Sequence, residues 1–376
     1  MMNRQLLHTP EGVRDIYGNE YGRKLEIERR LRQCAGLYGY QEIQTPTFEF
    51  FDVFSKEIGT TPSRELYKFF DKEGNTLVLR PDFTPSIARC AAMYFSEKKN
   101  SIRFSYLGNT FTNTSNLQGK LKEVTQMGAE LIGEDSVKAD AEIISLTIES
   151  LKKLGLKSFR VSIGEVEYFK GLCEEAGLDE ETEYSLRSFI SGKNYFAAQE
   201  LLDSKRVQEP FRSRLLKIAD MFGDVCDLTE AKAQAGNPRS LAAVTRLEEL
   251  YQILKLYGVE KYVAFDLGLL SKYNYYTGVV FKVYTFGLGD AVVKGGRYDK
   301  LLSQFGKSAP AIGFSMVVDD LMEALEHQDV EYQVEEPVCI PYDPNVKNSF
   351  EEALNQAKAN RENGICVKLI PLTDEK

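Results

Sequence analysis

From Gly164 to Gly258 the sequence carries helical periodicity alone, in EVEYFKGLCEEAGL, ETEYSLRSFISG, NYFAAQELLDS and SLAAVTRLEELYQILKLYG. Short strand-type runs stand on both sides of that block. A sheet drawing on both sides must be assembled around a helical insertion, which points to the α+β class. The first block holds YQEIQTPTFEFFDVF, a strand interrupted by Pro46 and so suited to an edge or interface. A hairpin follows, residues 66–70 and 76–79 around the turn DKEGN, and then a helix over 84–96. A second hairpin pairs 103–107 with 124–132 through the uncharged stretch GNTFTNTSN. Residues 135–154 read as an amphipathic helix and 158–163 as a strand. In the second block strands are expected at 262–267, 279–284, 290–293 and 311–317. KGGRYD (294–299) reads there as a glycine-rich turn leading into a helix.

Beyond the linker EYQVEEP only one β-α-β unit follows, which is too little to bury a core by itself. The organisation expected is a core in two parts, 1–163 and 259–328, a helical insertion over 164–258, and a linker with a partial α/β unit over 329–376.

Composition narrows the function. With 47 basic against 56 acidic residues the net charge is −9, which weighs against a protein that grips many phosphates. The six cysteines are scattered without a C-x-x-C, so neither a disulfide frame nor a zinc site is expected, and no cofactor motif is read. Only two histidines, His8 and His327, are present, both near segment boundaries, which disfavours histidine-based catalysis. No apolar run approaches a membrane span, and the expectation is a cytoplasmic protein.

In a strand, alternate residues share a face, so Gln126, Gly128 and Glu130 line up together. Two polar side chains flanking a bare glycine suit a ligand floor, and they equally suit an amphipathic strand with one wet face. Asp82 and Thr84, in LRPDFTP, stand where a strand gives way to a helix. Tyr275 and Tyr276 precede the apolar strand of YYTGVVF.

Taken in order, TPEGVRD, YGYQEIQTP, LRPDFTPSIAR, the hairpin ending in QMGAE, YYTGVVF with KGGRYD, and AIGFSM resemble class II aminoacyl-tRNA synthetases, closely the histidyl-tRNA synthetase family, over roughly residues 5–327. The resemblance implies an antiparallel sheet of six or seven strands flanked by helices, dimerising through the first motif around Pro46. It implies a histidine pocket in which Asp82 (glutamate in the family), Thr84 and Gln126 hold the α-ammonium. Glu130 and Tyr276, beside Tyr275, would bracket the imidazole nitrogens.

The resemblance also exposes losses. Activating an amino acid with ATP needs fixed positive charge around the phosphates. The family's three arginines fall here on Thr112, Ser271 and Asp320. A full tRNA-reading C-terminal domain is also missing from residues 338–376. These departures resemble the family's non-catalytic branch, the regulatory subunits of ATP phosphoribosyltransferase. That implies no catalysis by this chain and no tRNA, a short catalytic subunit as partner, a homodimer within a hetero-octamer, and L-histidine as effector. Two other readings stay open, an active histidyl-tRNA synthetase and a free-standing histidine-sensing or RNA-binding module.

Overall fold

The computed structural model describes residues 7–55, 61–95, 100–114, 121–223, 225–270, 275–334 and 336–372, without the side chains of 225–227. Along the chain come α1 (Gly18–Leu37), β1 (Gln41–Glu42), β2 (Phe48–Phe50), β3 (Lys68–Phe70), β4 (Thr76–Leu79), α2 (Thr84–Tyr94), β5 (Ile102–Phe111) and β6 (Glu123–Ile132). Then α3 (Val137–Lys153) and β7 (Phe159–Glu165) lead into the helical stretch. That stretch holds α4 (Val166–Glu175), α5 (Glu180–Ser191), α6 (Tyr195–Ser204), α7 (Phe211–Lys217), β8 (Phe222–Gly223), α8 (Val225–Gln234) and α9 (Pro238–Tyr257). The chain continues through β9 (Val263–Asp266), β10 (Val279–Thr285), β11 (Val293–Arg297), β12 (Ala311–Val317), α10 (Val318–His327), β13 (Val338–Tyr342), α11 (Ser349–Glu362) and β14 (Val367–Pro371).

Among the described residues nine strands form the main sheet, in the order β1-β5-β6-β12-β11-β10-β7-β9-β8. The β1–β5 and β7–β9 pairs are parallel and the remaining pairs antiparallel. The sheet is therefore α+β and predominantly antiparallel, as expected, with more strands than six or seven because two-residue strands extend both edges. Strands β2, β4 and β3 make a separate antiparallel sheet. Pro46 lies where the chain leaves one sheet for the other, since a residue without an N–H cannot extend a ladder. The buried Arg80 guanidinium fastens that crossing by donating to the carbonyls of Thr45, at 2.9 Å, and Asn109, at 2.8 Å.

Helix α3 starts at Ser136, whose side chain accepts from the Ala139 N–H at 3.1 Å, a side-chain N-cap. Its apolar stripe, including Ile143, Ile144, Leu146 and Leu151, is fully buried. Each such side chain contributes about 1.5–3 kcal/mol of transfer energy. Asp140 of α3 is buried as well, and it accepts from Arg297 at the end of β11 and from Arg246 of α9. Burying these charges costs desolvation, which the charge-assisted bonds offset, and removing one partner would leave another stranded. The network joins sheet, α3 and the helical stretch.

KGGRYD departs from expectation. Residues 293–297 are strand β11, and residues 290–292 precede it. The glycines serve the sheet rather than a turn. A Cβ at Gly296 would stand 2.7 Å from the Tyr276 ring, and one at Gly295 would overlap the Phe281 ring. Aromatic side chains cross the strand where it has no side chain of its own.

Residues 17–23 and 331–376 form a second compact unit. In it β13 and β14 pair in parallel, and α11 packs Ala353 and Ala357 against Ile340. No helix of the described residues is long and apolar enough to cross a membrane.

Candidate functional site

Register places two rows of residues on one face of the main sheet. The first row runs Phe104, Glu130, Gly313, Gly296, Val280 and Gly164. The second runs Tyr106, Gly128, Ser315, Lys294, Lys282 and Ser162. Glycines at Gly313 and Gly296 give the middle of that face no side chains of its own, and a cavity of about 500 Å³ opens over it. That volume lies in the range of small-molecule sites.

Asp82, Thr84, Gln126, Glu130, Tyr275, Tyr276 and Thr112 all line this one cavity, so residues far apart in sequence meet there. Thr84 opens α2, with Pro85 at its first turn, where a missing N–H costs nothing. This fixes the Thr84 hydroxyl above β6, and it donates to Glu130 Oε1 at 2.8 Å. Asp82 turns back on its own segment, with Oδ1 accepting from the Phe83 N–H at 2.7 Å.

Glu130 is 1% exposed, and its second oxygen accepts from the Tyr298 hydroxyl. A Cβ at Gly313 would overlap that carboxylate, so the glycine provides the room for it. Burial pushes the Glu130 carboxyl up to about 8 against the pull of Tyr298 and Thr84, and the Asp82 charge raises it further. Burial likewise raises the phenols of Tyr275, Tyr276 and Tyr298, which stay neutral donors. Tyr275 stacks on Tyr298 at 5.4 Å between ring centres and meets Tyr276 edge-on at 5.0 Å.

Gln126 is the open valence of the site. Its side-chain oxygen is buried and has no hydrogen-bond partner. An unsatisfied buried acceptor is costly and is rare in native proteins. Here it lines a cavity, where a donor on a small molecule would satisfy it.

Two expectations need correction or completion. Gly128 is no bare floor for a ligand, because the Tyr106 phenol lies where its Cβ would be. Tyr106 is cross-strand partner to Gly128 and stacks on Phe83 at 4.5 Å, so the space is used by packing. Tyr298, the nearest partner of Glu130, was missed. Its signal is the two-residue alternation from Gly296 to Tyr298, which the adjacent glycines of KGGRYD mask.

The three positions aligned with arginines divide. Thr112 lines the cavity, and its N–H donates to Lys122 O at 2.8 Å. Asp320 is in the first turn of α10 and is not among the described residues lining the cavity. Burial chiefly, and then the neighbouring Asp319, lift its carboxyl to about 6, while Lys294 pulls the other way. Ser271 lies outside the described residues.

A cavity of this polarity on an antiparallel sheet is the architecture of a class II synthetase-like fold. The family model for histidyl-tRNA synthetase matches residues 12–321. A protein of Ruminiclostridium cellulolyticum named ATP phosphoribosyltransferase regulatory subunit is 41% identical over 99% of this chain and 88% of its own length. One of the same name from Acetivibrio thermocellus is 42% identical over 87% of this chain and 78% of its own length. Among solved structures, an ATP phosphoribosyltransferase regulatory subunit/histidyl-tRNA synthetase of Bacillus halodurans superposes with a TM-score of 0.90 at 35% identity, covering 99% of this chain and 94% of that one. A histidyl-tRNA synthetase of Nostoc superposes with a TM-score of 0.80 at 19% identity, over 98% of this chain and 86% of its own, a likeness of fold. The chain belongs to the histidyl-tRNA synthetase-like family, in its branch of ATP phosphoribosyltransferase regulatory subunits.

Proposed function

We propose that this chain is a non-catalytic subunit that supports a short-form ATP phosphoribosyltransferase in the first step of histidine biosynthesis and senses histidine in the cavity over β6. The observation that carries the sensing is the unsatisfied Gln126 oxygen beside the Thr84–Glu130–Tyr298 bonds. An α-ammonium would satisfy Gln126. An imidazole has one donor and one acceptor nitrogen, and a site with both a carboxylate and neutral phenols discriminates it from apolar isosteres.

Loss of synthetase chemistry is supported by Thr112 and Asp320. A neutral hydroxyl and a carboxylate stand where the family's phosphate-binding arginines would be, and neither supplies positive charge to a triphosphate. Self-association is supported by β2, an edge strand that leaves Phe48 53% and Phe50 56% exposed. Their burial between two copies would form the homodimer on which a hetero-octamer is built.

The test is reconstitution with a short catalytic subunit. Sedimentation should give one species far larger than either chain, and L-histidine should inhibit its transferase activity. Independent migration at micromolar concentration would remove the partner from this reading, and an uninhibited complex would remove the sensing.

A further inference from the structure

A second cavity, of about 420 Å³, opens where the helical stretch meets the connection between β11 and β12. α4, α5 and α9 give it Lys170, Arg187 and Arg239, and the connection gives it Lys300. Four cations thus meet two carboxylates, Glu180 and Glu183, in a chain whose net charge is −9. Arg187 is 3% exposed and donates to Glu183. Glu167 accepts from Lys170 at 3.0 Å and from Arg239 at 2.7 Å, but it is not among the residues lining the cavity. Burial pushes the Glu167 carboxyl up, yet those two cations hold it below its ordinary value. Arg239 also stands in the first turn of the 20-residue α9, which carries no acidic residue there, so the positive end of the helix adds to its charge. Among the described residues the Lys300 side chain has no hydrogen-bond or ion-pair partner.

We infer that this second cavity binds a phosphate-bearing sugar. Lys300, Arg239 and Lys170 present ammonium and guanidinium donors to a phosphate, the strong class of hydrogen bond. Glu180 accepts from sugar hydroxyls, while Gln304 and Tyr184 can both donate and accept. The mixed lining therefore suits a ligand with an anionic end and a hydroxyl-rich end better than a bare anion. The volume lies in the range of small-molecule sites. Tyr275 lines both this cavity and the one over β6, but none of the four cations lines the latter. The inference stands apart from the histidine reading and does not depend on it.

Titration calorimetry of the intact chain tests this with ribose 5-phosphate, ribose and inorganic phosphate. Ribose 5-phosphate should bind most tightly of the three, with ribose at least about tenfold weaker for want of charge-assisted bonds. Lys300→Met should weaken ribose 5-phosphate about threefold to tenfold, since an exposed ammonium is partly screened, and Lys300→Arg should retain most of the affinity. Lys300→Glu, which reverses the charge, should take binding beyond detection. Because Lys300 has no partner to lose, the melting temperature of all three variants should hold. A clear fall would mean that Lys300 serves the fold, against the proposal. Gln126→Met, in the cavity over β6, should leave ribose 5-phosphate within about twofold. Affinity that survives Lys300→Glu, or that falls with Gln126→Met instead, overturns the site by placing the ligand elsewhere. Inorganic phosphate bound as tightly as ribose 5-phosphate overturns the sugar. No binding of any of the three overturns the proposal outright.

Discussion

The acceptor-rich side of the cavity and the positions once aligned with phosphate-binding arginines have diverged in opposite senses. Around Glu130 the groups are buried and bonded to each other, with Thr84, Tyr298 and Gly313 each shaped to the carboxylate. At Thr112 and Asp320 the residues are a short hydroxyl side chain and a raised carboxyl. Under the proposed function, the difference is one between losing a reaction and keeping a ligand. Recognition by a buried carboxylate depends on local satisfaction, whereas phosphoryl chemistry depends on fixed cations that a few substitutions remove.

The largest effect that could break this comparison is catalytic. Histidine-dependent ATP–pyrophosphate exchange should be absent, because one lost stabilising donor already costs about 3 kcal/mol and more than one is replaced here. Measurable turnover by the purified chain would reunite the two ends as a working synthetase.

Next in size is Glu130→Ala. The variant complex should need about ten to a hundred times more histidine for half inhibition, the cost of leaving a buried group of the ligand without its hydrogen-bond partner, with uninhibited transferase activity little changed. If the inhibition curves of variant and wild type superimpose, the effector binds elsewhere.

Gln126→Met sharpens the same side. It removes the buried unsatisfied oxygen and the acceptor for the ammonium, so histidine affinity should fall about fivefold to tenfold while the unliganded protein becomes slightly more stable. A variant that is markedly less stable would mean that Gln126 holds the fold rather than the ligand.

The smallest effect is read in stability against pH. Glu130 has its folded pKa raised to about 8 from an ordinary 4.5, so the folded state binds the extra proton between those values. Its contribution is fully present below about pH 4.5 and is lost as pH rises through about 8. Glu165 is raised to about 8 too, so the wild type alone does not isolate the effect. Glu130→Gln should flatten the decline in unfolding free energy between pH 5 and 9 by up to a few kcal/mol, read by denaturant titration. Parallel curves for variant and wild type would place the Glu130 carboxyl in a polar, ordinary environment.

Local patterns carried much of the architecture. Strand-type runs marked the strands from β4 to β12 with the exceptions of β8, a two-residue strand inside the block of helical periodicity, and β11. Helical spacing marked α3 and the helices between β7 and β9. These signals are legible because each face repeats within a few residues. β11 was not, because two adjacent glycines are the local signature of a turn and become strand only where Phe281 and Tyr276 need the space above them. Likewise Gly128 gave no local sign that Tyr106, across the ladder, would occupy its open face.

By itself, the amino-acid sequence determined the α+β class and the polar face of β6, and through the family resemblance it put Thr112, Ser271 and Asp320 where arginines are expected. Only the tertiary structure decided how that polar face is used. Thr84 and Tyr298 stand 46 and 168 residues from Glu130, and no local periodicity spans such separations. Sheet order brings them together, and burial then decides which polar groups satisfy each other and which, like the Gln126 oxygen, remain open to a ligand.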